Sequence, residues 1–161
     1  MINVLEQIIQ LYPNSTVIVT TENGSSASGY PGALLTAPNY GLLQLVDCNS
    51  QPQEAISLCR IASVRVTCAT YNNAISYLPQ PMPLDGSCGA NCQAAIRDYL
   101  PVGTANASIK AGGQTVAQGT VIKNKFGMLV LVGPNKCDPT FVSICKIEMI
   151  TKKPSCPATC W

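Results

Sequence analysis

Two stretches of this chain carry the same message, and that repetition constrains the fold more than any single motif. In residues 32–66, Asn39, Tyr40, Gly41, Leu42 and Leu43 align with Lys125, Phe126, Gly127, Met128 and Leu129 of residues 119–150. Further on, Ile56, Ser57, Leu58, Cys59, Arg60 and Ile61 align with Val142, Ser143, Ile144, Cys145, Lys146 and Ile147. An aromatic ring, a glycine, a cysteine and a cation recur in one order between apolar neighbours. A chain written this way folds one small unit twice.

Local patterning says what the unit is. Val4, Leu5, Ile8, Ile9 and Tyr12 recur at helical spacing, and Pro13 stops the run, which predicts a short helix over 2–11. The β-branched run 16–21 reads as a strand, residues 22–29 as a turn, and strands follow over 32–36, 41–47, 55–59 and 61–66. Residues 67–89 carry Pro79, Pro81, Pro83, Gly86 and Gly89 and predict an extended linker. Asn91 is placed to cap a second short helix over 92–99, ended by Leu100 and Pro101. Strands are then expected over 106–110, 118–123, 127–132 and 141–150, with a turn at Gly112 and Gly113. The expected fold is mainly β, a tandem repeat of two small five-stranded barrel-like units, each preceded by a short helix. A single β-sandwich made from both strand sets is the alternative. The expected division is 1–67, a linker over 68–90, 91–151, and a cysteine-containing tail over 152–161.

Composition narrows the function. Hydrophobic residues make up 47% of the 161 and charged residues only 11%, against about 25% charged in an average soluble domain. Such a weakly charged surface suits a chain covered by neighbours. With a net charge of +2 and no block of like charge, no footprint for nucleic acid or anionic lipid stands out. Histidine is absent, which removes the usual general base and the commonest metal ligand. The first thirteen residues lack the basic start and small-residue cleavage site of a signal peptide, and no segment reaches the length of a membrane span. The expectation is a non-enzyme made in the cytoplasm without a signal peptide, with no membrane partner.

Nine cysteines sit awkwardly with a reducing compartment, and the odd count leaves at least one unpaired within the chain. Cys59 and Cys145 hold matching places between apolar residues and read as buried strand cysteines. Cys48 and Cys137 fall at strand ends before loops, where a thiol is accessible to cross-linking. Cys88 with Cys92, and Cys156 with Cys160, form two C-x3-C pairs. Those four are the alternative ligand set for structural zinc. Disulfides, within or between chains, are the preferred use of Cys48, Cys68, Cys88, Cys92, Cys137, Cys156 and Cys160, at about 2–4 kcal/mol each where unstrained. Cys68, just past the first unit, is the candidate odd thiol. No cofactor is expected otherwise. The glycine-rich runs lack the Lys-Ser/Thr of a phosphate loop and read as turns.

A helix followed by five strongly bent strands, with a glycine entering the second strand, resembles the Sm-like and SH3-like small barrels. On the organisation of 32–66 and its echo, with Cys48, Cys59, Cys137, Cys145 and the two C-x3-C pairs, the chain also resembles the cysteine-rich self-assembling proteins of firmicute spore surfaces, in the exosporium lattice or spore appendages. That resemblance implies subunits that tile into rings, sheets or fibres, locked by intermolecular disulfides. The expected function is therefore a structural, self-assembling protein made in the mother cell and ending on the spore surface, with itself and other cysteine-rich surface proteins as partners. One alternative is an Sm-like RNA-binding ring using Arg60, Arg65, Lys146, Lys152 and Lys153, although base-stacking aromatics are scarce at 6%. The other is a zinc-stapled interaction module.

Overall fold

Val4, Leu5 and Ile8 fall on one face of the first helix, α1 (Ile2–Leu11), and that face is buried. The helix stops where expected: the Tyr12 N–H donates back to Ile8 O at 2.9 Å, and Pro13 cannot extend the ladder. The computed structural model describes residues 1–35, 41–79 and 88–152. Five strands follow α1, namely β1 (Val17–Thr21), β2 (Ser26–Leu35), β3 (Leu42–Val46), β4 (Pro52–Ser57) and β5 (Ile61–Val66). A second helix, α2 (Cys88–Tyr99), precedes β6 (Ala107–Ala111), β7 (Gln114–Lys125), β8 (Met128–Val132), β9 (Thr140–Ser143) and β10 (Met149–Lys152). The protein is mainly β, as the sequence predicts.

Hydrogen-bonded neighbours run β10-β6-β7-β8-β9-β5-β1-β2-β3-β4, and the pairs are antiparallel. Within each half the order is the same: the fifth strand pairs with the first, which leads to the second, third and fourth. The halves join through β5 and β9, with Ser63 opposite Val142, Val64 opposite Phe141 and Arg65 opposite Thr140. The two five-strand sets are thus continuous in one ten-stranded series rather than separate sheets.

Burial explains why β8, beside the joint, is apolar throughout. Along β8, Met128, Val130 and Val132 enter the core that α1 covers, while Leu129 and Leu131 enter a second core with Leu100, Ile109 and Ile144. Along β9, Phe141 goes to the first core and Val142 to the second; on β5, Val64 and Val66 go to the first and Ala62 to the second. Successive side chains point to opposite faces of a strand. Strands covered on both faces therefore lose the alternating polar positions.

Several sequence-based boundaries change. The strand expected over 55–59 is β4, ending at Ser57, and the chain then makes a 3-10 turn, Leu58–Arg60. The run expected over 141–150 is likewise two strands separated by the 3-10 turn Ile144–Lys146. The turn expected over 22–29 is shorter, because β2 starts at Ser26 and runs through an irregularity between Pro31 and Leu34. The second helix starts at Cys88, so Asn91 lies inside it and is not its cap. The expected linker is not bare chain: Tyr71 and Ile75 are buried in the first core, and Gln7 of α1 binds Ser76 through the Ser76 N–H at 2.8 Å and the Ser76 carbonyl at 2.8 Å. Irregular spacing hides such burial from any periodic reading. Of the expected tail over 152–161, Lys152 closes β10, and the rest lies outside the described residues.

Because each core contains residues of both halves, the two should unfold in one transition. Phe141→Ala is expected to lower that single transition by about 3–5 kcal/mol. Urea melts followed by tyrosine fluorescence and by far-UV circular dichroism check this, and two separable transitions would contradict it.

Candidate functional site

Chemistry concentrates where the two halves meet. Glu22, in the β1–β2 turn, receives Arg60 of its own half at 2.5 Å and Lys146 of the other half. Arg60 and Lys146 occupy equivalent places in the two 3-10 turns. These two cations, Lys146 foremost, hold the Glu22 carboxyl below the usual carboxylate range. At the other end of β5, Asp138 takes Arg65 at 2.8 Å and the Cys68 N–H at 2.8 Å, and the Arg65 hydrogen bond is the main cause of its lowered pKa.

Backbone continues the joint on both sides. The Val66 N–H donates to Pro139 O at 2.9 Å, the Asp138 N–H to Ala69 O at 2.8 Å, and the Tyr71 N–H to Lys136 O at 3.0 Å. At the opposite end the turn at Gly112 packs on the turn at Glu22. Gly112 has φ +59, and a side chain there would collide with the Glu22 carbonyl, so only glycine fits. Gln114 Nε2 donates across to Gly24 O at 2.8 Å, and the buried Ser63 hydroxyl donates to Val116 O at 3.1 Å.

Among the described residues, Cys48, Cys59, Cys68, Cys92 and Cys145 are exposed and Cys137 is half-buried. Cys59 and Cys145 are exposed, which corrects their expected burial in strands. Each sits in a 3-10 turn that rotates it outward and gives the buried place to Leu58 or Ile144. Each also shares a 3.1 Å hydrogen bond with the serine two residues earlier, Ser57 or Ser143. The signal was in the chain: a cation follows each cysteine, and a cation needs water. Cys48 is exposed in the β3–β4 turn, where Asp47 Oδ1 accepts the Asn49 N–H at 2.8 Å and the Gln51 N–H at 2.9 Å.

Cys68 and Cys137, which the sequence left unrelated, line one cleft of about 740 Å³. Cys68 adopts φ +55, and Cys137 lies in a bridge opposite Thr70. Tyr12 and Tyr71 line the same cleft. Burial is the main cause that pushes both phenols above their usual pKa, so they remain neutral across physiological pH. Cys92 is exposed on α2 and Cys88 begins that helix. Cys156, Cys160 and Lys153 lie outside the described residues, so half of the alternative zinc set does too. Among the described residues, no three His, Cys, Asp or Glu side chains gather where they could hold a metal ion.

The described basic residues proposed for an RNA rim all make contacts within the chain. Arg60 and Lys146 serve Glu22, Arg65 serves Asp138, and Lys152 Nζ lies 3.8 Å from the centroid of the Tyr99 ring. What the body does leave open is backbone. β4 and β10 end the strand series, and among the described residues neither has a second strand neighbour. Comparison with family models, curated proteins and solved structures finds no match.

Lowered carboxyl pKa values make this joint acid-sensitive. The unfolded chain binds the protons more readily, so the stabilisation is full above the ordinary carboxylate pKa of about 4 and is lost as pH falls through the lower folded values. Denaturant titrations at stepped pH should show the wild-type midpoint falling in that acid window. The double substitution Glu22→Gln with Asp138→Asn should flatten that limb, and an unchanged limb would contradict the assignment.

Proposed function

We propose that this chain is a structural, self-assembling subunit of a disulfide-cross-linked spore-surface layer or filament, made in the cytoplasm of the mother cell and ending in the exosporium, coat or an appendage. In this reading each half is a small five-stranded barrel of Sm or SH3 type. The common strand order of the two halves, and their identical serine–cysteine turns, support it.

One observation carries the proposal: the repeated unit is already joined to its own copy, strand edge to strand edge, through β5 and β9. A unit that adds to itself within one chain and, among the described residues, leaves a strand edge open at each end has the parts for addition between chains. Peripheral thiols supply the lock. Two thiols on neighbouring molecules would lose two protons and two electrons to dioxygen or a small disulfide as the sulfur–sulfur bond forms. Exposed Cys48, Cys59 and Cys145 are available for this without any rebuilding of the core. The engagement of Arg60, Arg65, Lys146 and Lys152 in internal contacts weighs against the RNA-binding reading.

Purified protein oxidised in air should run on detergent gels as a ladder reaching very large species, collapsing to monomer only with thiol reductant and heat. A clean monomer without reductant, after prolonged oxidation at high concentration, would contradict the proposal.

A further inference from the structure

The internal joint is a template for an external one. Continuing the alignment of the two copies, Val142, Phe141 and Thr140 of β9 correspond to Ile56, Ala55 and Glu54 of β4. Ser63, Val64 and Arg65 of β5 correspond to Met149, Ile150 and Thr151 of β10. So the pair that joins the halves, β9 with β5, has as its counterparts the two strands left open at the ends of the series.

We infer that the assembly partner is a second copy of this chain, whose β10 adds antiparallel to the open edge of β4 in the register Ile56 with Met149, Ala55 with Ile150 and Glu54 with Thr151. This rests on the self-assembly reading and names the surfaces that carry it. It is a head-to-tail contact, which propagates as a closed ring or an open filament.

Backbone phase fits. The Leu58 N–H donates to Gly41 O at 3.0 Å, so with Leu43 opposite Ile56 the residues whose N–H and C=O face β3 are Leu58 and Ile56. Hydrogen-bonding direction alternates along an antiparallel strand. Ala55 therefore turns its N–H and C=O to the open side, as Phe141 turns its own to β5. On the other strand Ile150 and Lys152 stand where Val64 and Val66 stand in the template.

Side chains fit as well. Met149 is 55% exposed at the position that would meet Ile56. Glu54 is the only charged residue on β4, whereas Lys152 is the only one on β10, so unlike edges attract and like edges repel. Glu148 sits beside the Gly113 N–H at 3.3 Å, in the turn that corresponds to the one holding Glu22. It is the carboxylate of the added copy that Arg60, beside β4 of the receiving copy, would meet. Ala55 replaces Phe141 and Glu54 replaces Thr140, so the external joint buries less apolar surface than the internal one. It is the weaker, reversible contact.

The test uses full-length protein kept reduced, so that no thiol chemistry contributes, with sedimentation velocity as the readout. Ala55→Pro removes the N–H of β4 that faces outward, and Lys152→Pro does the same at the end of β10. Each variant alone should be monomeric, with self-association weakened more than tenfold, while their mixture should form a 1:1 dimer and stop there. Matching unfolding transitions establish that both variants fold. If either fails, Glu54→Lys and Lys152→Glu replace them, each assembling poorly alone and well when mixed. Assembly of the variants identical to wild type, or dimers of one variant alone, would overturn the edge assignment and leave self-assembly standing. Wild-type protein monomeric at every concentration, reduced and oxidised, would overturn both.

Discussion

Strand edges must be satisfied, and the joint between β5 and β9 is where this chain satisfies the most demanding of them. An unpaired backbone edge buried between two cores would strand a row of N–H and C=O groups without partners. By laying β9 against β5, the chain pairs both edges at once, and the side chains of the joining strands then have a core on each face. Continuous burial along β8 and β9 and the placing of Phe141 under α1 follow from that pairing. The carboxylates at the rim, Glu22 and Asp138, fasten it with charge-assisted bonds from both halves.

Such a joint also settles what the outer strands look like. β4 and β10 carry exposed side chains over most of their length, with Pro52 and Glu54 on one and Lys152 on the other. Proline and charge on an edge discourage indiscriminate pairing. Here the signs differ between the edges, so the same residues that block like-to-like contact permit the unlike one. Specificity of this sort comes from what is repelled as much as from what is attracted.

Much of the unit was legible in the chain. The helical spacing of Val4, Leu5 and Ile8 with Pro13 behind it gave α1 its observed limits, and the echo of 56–61 in 142–147, read as strand in both copies, is matched in the structure by two 3-10 turns with the same serine–cysteine hydrogen bond. Burial was expected of Cys59 and Cys145 because each strand was carried past Ser57 or Ser143, where it ends, and each cysteine follows an apolar residue. The neighbouring Arg60 and Lys146 already argued for water. Packing of Tyr71 and Ile75 over α1 was not legible, since irregular chain has no period to read. The pairing of β5 with β9 was hidden for a different reason: it joins residues far apart in sequence, and only the unalternating apolar run of β8 hinted at a strand covered on both faces.

The proposed choice of edges depends on one claim, that molecules join as the halves of each molecule join. Hydrogen–deuterium exchange on reduced protein, at concentrations below and above assembly, tests it at the backbone. The account predicts that peptides covering β4 and β10 gain protection on assembly, while those covering β2, β3 and the buried β5–β9 joint are unchanged. Protection that appears on other strands, with β4 and β10 exchanging as fast in the assembly as in the monomer, would contradict it.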